Sequence, residues 1–275
     1  MPKITLCAFS DESSPVFEEQ IAALLRNNIP YMEMRNVDGK NVKKLTLDEA
    51  KEYKKRLDDK ELAVWSIGSP IGKSEIADDF GIVEDTLKHV CELALTLGTD
   101  KIRMFSFHHA TEAREEVLSR LCRMVEIAKD FGVGLYHENE KGIYGDIAAR
   151  CLDLHQNVPG LAAVFDPANF IQCGQDTLEG WEMLHSYVNY MHIKDALPDG
   201  RVVPPGEGIG NVPLLLEKFA AMGGELLSLE PHLSEFVGLK QLEREGETSI
   251  VGSLAFESSE AAFDHAAKAL RKLLC

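Results

Sequence analysis

The sequence has no C-x-x-C pair. Its six cysteines, Cys7, Cys91, Cys122, Cys151, Cys173 and Cys275, are scattered through apolar or helical contexts. That pattern argues against a cysteine-type structural zinc and against a disulfide framework, and for free thiols in a reducing compartment. No apolar run approaches membrane-spanning length. The opening Met1–Pro2–Lys3–Ile4–Thr5–Leu6 turns polar too soon for a signal peptide, so a cytoplasmic protein without a membrane partner is expected. Positive charge is scarce: 29 Lys+Arg stand against 45 Asp+Glu, a net charge of −16. Such a balance repels a phosphate backbone, and nucleic acid is not an expected partner. The densest basic run, Lys51 to Arg56, is interleaved with acid and reads as a solvated helix face. There is no G-x-G-x-x-G, no P-loop and no G-x-S-x-G. Pro204 to Gly210 is glycine-rich but lacks the Lys-Ser/Thr of a P-loop.

What is present is alternation. Strand-like runs at Ile4–Phe9, Tyr31–Arg35, Ala63–Ile67, Lys101–Phe107, Val133–Glu138, Leu161–Asp166, Tyr190–Lys194 and Glu225–Glu230 take turns with helix-patterned segments. The predicted helices are Val16–Asn28, Thr46–Asp59, Phe80–Leu97, Thr111–Phe131, Asp146–Gln156, Thr177–Tyr187, Val212–Met222 and Glu257–Leu274. Thr46 with Glu49 forms a predicted capping box, and Gly98 and Gly132 are stop signals. Alternating strands and helices imply parallel strands with right-handed crossovers. Eight units in 275 residues, with no composition break, predict one α/β domain over 1–275: a closed (β/α)8 barrel, a fold that needs about 250 residues.

Four consecutive strand-like runs each finish on a metal-ligating residue: Glu138, Asp166, His192 and Glu230. In such a barrel every strand end faces one mouth, so these four are expected to converge. Three carboxylates and an imidazole suit one hard or borderline divalent ion: Mn²⁺ first, with Zn²⁺, Mg²⁺ or Co²⁺ as options. Residues two apart on a strand share a face. Lys194 is therefore expected beside His192, Arg35 beside Glu33 and Arg103 beside Phe105. Each would reach a bound oxyanion or sugar hydroxyl, or else balance nearby carboxylates. Trp65 is read as a sugar-stacking platform, with core packing as the alternative. Glu207 lies in the loop 196–210, which either covers the mouth or is plain surface.

These segments carry a resemblance. His137–Glu138–Asn139–Glu140, Asp166–Pro167–Ala168–Asn169–Phe170, His192–Ile193–Lys194–Asp195 and Ser228–Leu229–Glu230–Pro231–His232 resemble the sugar phosphate isomerase/epimerase proteins of the xylose isomerase-like TIM barrel superfamily (AP endonuclease family 2). The resemblance spans nearly the whole chain. It implies that Glu138, Asp166, His192 and Glu230 hold the ion. It also implies that Glu138 and Glu230 double as an acid/base pair, moving a proton through a metal-stabilised enediolate. Asn139 and Glu140 would orient the ligands. The chain departs from ketose 3-epimerases in having Asn169 where they place a substrate-binding His and Tyr144 where they place a second Glu. Their strand-seven Arg has only Arg201 as a loose counterpart. Asn169 is expected to hydrogen-bond a substrate hydroxyl.

The expected activity is thus a metal-dependent isomerase or epimerase acting on a sugar, sugar phosphate or cyclitol, with self-association open. A lyase or dehydratase using the same proton abstraction is the alternative, recognisable by loss of water or an aglycone. A nuclease of the endonuclease IV type would need more than one ion and a surface suited to DNA. A non-catalytic sugar sensor would bind ligand without exchanging its protons.

Overall fold

The computed structural model describes residues 4–236 and 255–275. Most of the polar connection before the last helix therefore lies outside the described residues. The eight expected strands are all present: β1 (Thr5–Ala8), β2 (Tyr31–Met34), β3 (Ala63–Gly68), β4 (Lys101–Met104), β5 (Gly134–Glu138), β6 (Ala162–Phe165), β7 (Val188–Ile193) and β8 (Leu226–Leu229). They close one parallel barrel in the ring order of the chain, with β1 paired to β8.

Around it lie α1 (Phe17–Arg26), α2 (Leu47–Asp58), α3 (Phe80–Leu97), α4 (Arg114–Asp130), α5 (Ala148–Asn157), α6 (Thr177–Leu184), α7 (Val212–Ala221) and α8 (Ser259–Leu273). The predicted capping box is formed: the Thr46 hydroxyl accepts the Glu49 N–H at 3.2 Å, and the Glu49 carboxylate accepts the Thr46 N–H at 2.7 Å. Gly98 ends α3 in the left-handed conformation, φ 82°, where a side chain would be strained. No helix among the described residues is long and apolar enough to cross a membrane. All six cysteines are free.

Two apolar populations hold the barrel. The larger lies between the outer strand faces and the helices, with Phe17, Leu24, Leu87, Leu121, Leu154 and Phe263 fully covered. The smaller fills the barrel floor: Cys7, Val164, Tyr190 and Leu226, packed with Tyr31, Trp65 and Tyr136. Alternation does the rest. Two residues beyond Tyr136, Val164 and Tyr190 come Glu138, Asp166 and His192, on the same inward face but nearer the mouth. The barrel interior thus changes from apolar to charged along its own axis.

Two additions to the barrel were not expected. A hairpin, Asn36–Val37 with Lys40–Asn41, turns through Asp38 and Gly39, at φ 49° and 72°. The 196–210 loop is not wholly irregular, because Asp195–Ala196 pairs with Val202–Val203. Its glycines wrap a carboxylate: the N–H groups of Gly206, Gly208 and Gly210 donate to Asp195 at 3.0, 3.0 and 2.9 Å. A Cβ on Gly208 would come within 2.3 Å of the Ala196 carbonyl oxygen and of Asp195 Oδ1. Glu207 itself points into solvent.

His137 faces outward from β5 and meets His155 of α5 edge-on at 6.0 Å, and His155 stacks on Tyr187 at 5.2 Å. Its Nδ1–H donates to the Leu161 carbonyl at 3.1 Å. Burial holds the His155 imidazole down to about 4, from an ordinary value of 6.5. Between those values the unfolded chain binds a proton that the folded chain refuses. The contribution is therefore complete above about pH 6.5 and is lost as pH falls toward 4. At about 1.4 kcal/mol per unit, it amounts to about 2 kcal/mol between pH 7 and pH 5. Urea unfolding at both pH values should show His155→Gln with a drop smaller by that amount than the wild-type drop. Equal drops would show that His155 is not the group responsible.

Candidate metal centre

The mouth gathers the four expected ligands. Glu138 ends β5, Asp166 follows β6, His192 is the penultimate residue of β7 and Glu230 follows β8. All four are buried, and one ligand atom from each lies within 4.8 Å of every other. His192 Nδ1 sits 3.0 Å from Glu138 Oε1 and 3.6 Å from Glu230 Oε2. Asp166 Oδ2 and His192 Nδ1 are fully buried and meet only charged groups of the same cluster, Lys194 Nζ at 3.1 Å and Glu138 Oε1 at 3.0 Å. Three carboxylates and one imidazole nitrogen converging in one buried space make an oxygen-and-nitrogen donor set that fits a divalent cation. The residues present are therefore able to hold a metal ion.

Each of these side chains is held from behind. The far nitrogen of His192, Nε2, lies 3.2 Å from Glu33 Oε2, while Glu33 Oε1 accepts the Tyr190 hydroxyl at 2.8 Å. A carboxylate at Nε2 keeps the proton there and turns the Nδ1 lone pair toward the site. The Phe9 and Tyr190 rings pack against the imidazole at 5.1 and 5.6 Å. Asp166 caps the short helix Pro167–Gln172, its Oδ1 accepting the Asn169 N–H at 2.9 Å. Asn139 clasps the Asp166 backbone, donating to its carbonyl at 2.8 Å and accepting its N–H at 2.9 Å.

Cations complete the ring. Arg103 Nε lies 3.1 Å from Glu138 Oε2, and its Nη1 donates to the Ser69 carbonyl at 2.8 Å. Lys194 Nζ lies 3.1 Å from Asp166 Oδ2 and 3.2 Å from Glu230 Oε2. Arg35 donates to both oxygens of Asp11, to Glu12 at 3.0 Å and to Glu230 at 2.9 Å. Burial acts against every charge here. It pushes Asp166 up to about 7 even with Lys194 beside it. It also opposes charge on Glu230, yet Lys194, His232, His192 and Arg35 together hold that carboxylate well below the usual range. On His192 burial is outweighed by Glu138 and Glu33, which raise the imidazole well above 6.5.

Three of the four expected substrate contacts lie at this mouth. Arg35 and Lys194 do so as partners of carboxylates. Asn169 donates its amide to Glu138 Oε1 at 3.1 Å and to the Asn139 carbonyl at 3.0 Å, so it supports ligands. Trp65 takes the other expected reading, core packing. The strand runs on past it to Gly68, which leaves Trp65 in the barrel floor against Tyr31 and Tyr190, with Lys101 over its ring at 4.7 Å. That is the end away from the ligands, and its role there is packing. Glu140 orients no ligand directly: it pairs with Lys73 at 2.9 Å. Sequence reasoning missed the part played by Glu33, Asp11 and Glu12. The one available signal was position: Glu33 precedes Arg35 by two on a strand, and Ser10–Asp11–Glu12 ends the first strand.

A second group, Glu12, Glu230 and His232, also brings ligand atoms within 4.8 Å of one another. The Arg35 guanidinium already bridges Glu12 and Glu230 there, so a cation occupies that position.

A closed parallel barrel with a buried Glu–Asp–His–Glu set at the carboxyl ends of its strands defines a class of protein. The chain belongs to the xylose isomerase-like TIM barrel family, whose model matches residues 21–273. No curated protein matches it. Among solved structures it resembles the zinc-bound IOLI protein (17% identity, TM-score 0.75, 98% of each chain). It also resembles an L-ribulose 3-epimerase (18%, 0.74, 100% of this chain and 95% of that one). A third is the probable 3-DHS dehydratase AsbF of Bacillus anthracis, from petrobactin synthesis (18%, 0.73, 98% of each). At these identities the likeness is one of fold.

Removal of the carboxylate behind His192 should loosen the ligand rather than delete it. Glu33→Gln is expected to weaken Mn²⁺ or Zn²⁺ binding by about 10- to 100-fold. Trp65→Phe, in the floor, should leave it unchanged. Titration calorimetry reads both. Wild-type protein that takes up no divalent ion would remove the site altogether. A Glu33→Gln protein with wild-type affinity would remove Glu33's part in it.

Proposed function

We propose that the chain is a divalent-metal-dependent isomerase or epimerase of a sugar, sugar phosphate or cyclitol, with Glu138 and Glu230 exchanging the proton. One observation carries this reading: two buried carboxylates from β5 and β8 flank the same imidazole nitrogen, at 3.0 and 3.6 Å. Each has its own cation, Arg103 for Glu138, and Arg35 and Lys194 for Glu230. A single divalent ion in the cluster, Mn²⁺ by preference, would supply positive charge to the substrate oxygens beside the breaking C–H bond.

The protein's own groups do the proton work. Glu230 is kept ionised by the cations around it and so is ready to accept a proton from carbon. Glu138 comes from the far side of β6 and β7; entering that turnover as the carboxylic acid, it gives its proton from its own side, which leaves Glu138 ionised and Glu230 protonated for the reverse direction. Return at the same carbon on the opposite face inverts it, and return at the neighbouring carbon moves the carbonyl. Arg103 and Lys194 keep both carboxylates aimed inward, and the apolar floor beneath excludes water from below.

A second reading has an observation of its own. The Lys194 ammonium lies between Asp166 and Glu230, inside the mouth. An acid there can protonate a departing hydroxyl after the same C–H abstraction, which is a dehydration. The nuclease reading loses ground because Arg35 stands where a second ion would sit and the chain carries a charge of −16.

Incubation of ketoses, aldoses, their phosphates and inososes in D₂O with Mn²⁺, followed by chelation and NMR, tests this. One deuterium should appear beside the carbonyl. Glu230→Gln should slow its entry by about 10²–10⁴-fold, the usual contribution of a positioned acid or base. Exchange that survives in Glu230→Gln would displace Glu230 from this role. A conjugated enone absorbing in the ultraviolet would favour the lyase. Ligand binding with no exchange across the panel would leave a sensor.

A further inference from the structure

Beside the mouth lies a groove of about 370 Å³ that the chemistry above does not use. Its walls are the β2 hairpin, the loop after β3 and the first turns of α3. Four cations line it: Arg35, Lys43, Lys44 and Lys73, together with the carboxamides of Asn36 and Asn41. No acid is among its lining residues, in a chain whose acids outnumber its bases by 45 to 29. Arg35 and Lys73 form its inner end. Each also reaches a mouth carboxylate, Arg35 on Glu230 at 2.9 Å and Lys73 on Glu140 at 2.9 Å. Lys43 and Lys44, on the short 3-10 turn Val42–Lys44, form the outer end. Neither makes an ion pair with a described residue, unlike Lys40, Lys51 and Lys54 nearby. Ile71 supplies an apolar wall, and Ile82 overhangs it at 66% exposed.

We infer that this groove is a subsite for an oxyanion at the far end of the substrate, a phosphate or a carboxylate, while the polyhydroxyl end sits at the metal-ligand cluster. The physics is that of a concave, partly apolar cleft lined by one sign of charge, which concentrates counter-ions. Its volume falls within the range of small-molecule sites. The inference rests on reading the mouth as a sugar-converting centre, and it narrows the substrate to an acidic sugar derivative.

Binding can be followed without turnover. Protein carrying ¹³C-methyl isoleucine, in the presence of Mg²⁺, is titrated with inorganic phosphate, D-fructose, D-fructose 6-phosphate and D-fructuronate. The Ile71 and Ile82 methyls should shift with phosphate. At least one charged sugar should bind about tenfold more tightly than fructose, and that gain should vanish in the Lys43→Gln/Lys44→Gln protein. Both lysines are exposed, so their removal leaves the barrel intact, and an unchanged melting temperature checks this. Fructose 6-phosphate gaining while fructuronate does not identifies a phosphate, and the converse identifies a carboxylate. If fructose binds as tightly as both charged sugars, or the double variant binds as wild type does, the subsite is overturned. Intact charged-sugar binding with no deuterium exchange anywhere would instead overturn the enolisation reading and leave this site standing.

Discussion

The constraint on which the molecule turns is charge compensation at the barrel mouth. Six carboxylates, Asp11, Glu12, Glu33, Glu138, Asp166 and Glu230, are buried together with only three cations, Arg35, Arg103 and Lys194. Burying a charge without a partner costs several kcal/mol even after relaxation. The three cations leave the set with an excess of negative charge. Burial pushes Glu12 up to about 8 and Asp166 up to about 7, while Glu138 and Glu33, acting against burial, raise the His192 imidazole well above its ordinary value. A divalent ion would bring the set close to neutrality. The mouth is built around that excess of negative charge rather than around any single residue.

The barrel makes this concentration of charge tolerable by separating it from the apolar floor. Tyr31, Trp65, Tyr136, Val164, Tyr190 and Leu226 fill the lower interior. The charged layer begins two residues further along the same strands. Tyr190 joins the two layers, its ring in the floor and its hydroxyl on Glu33. The phenol thus fixes Glu33, Glu33 fixes the far nitrogen of His192, and the near nitrogen, Nδ1, faces Glu138 and Glu230. The rigidity of the site is inherited from packing below it.

Much of this was legible because it is local. Period-two alternation, strand-end acids and the Thr46 box are patterns within a few residues, and they located the barrel and the four residues that its mouth brings together. What was not legible depends on contacts across the ring. Glu33 meets His192 across 159 positions and His232 N–H meets Glu12 across 220, which no spacing rule reports. Trp65 was left with two readings because a predicted strand end at Ile67 put it nearer the mouth than the actual end at Gly68 does. The Asp38–Gly39 turn is a strong hairpin signal. It passed unread because its arms are only two residues long, shorter than any alternation can reveal.

Arg35 shows why the same ring of acids need not hold the same number of ions. Its guanidinium sits among Asp11, Glu12 and Glu230, the position a second cation would take beside His232. A guanidinium cannot polarise an oxygen as a divalent ion does, but it neutralises the same carboxylates and cannot be lost to a chelator. It also fixes Glu230 from the side opposite Lys194, so that one oxygen faces Arg35 and the other faces the ligand cluster. A residue expected to greet substrate therefore has a prior task. It neutralises the Glu12–Glu230 side of the mouth and orients Glu230, and its backbone passes directly into the hairpin that walls the basic groove.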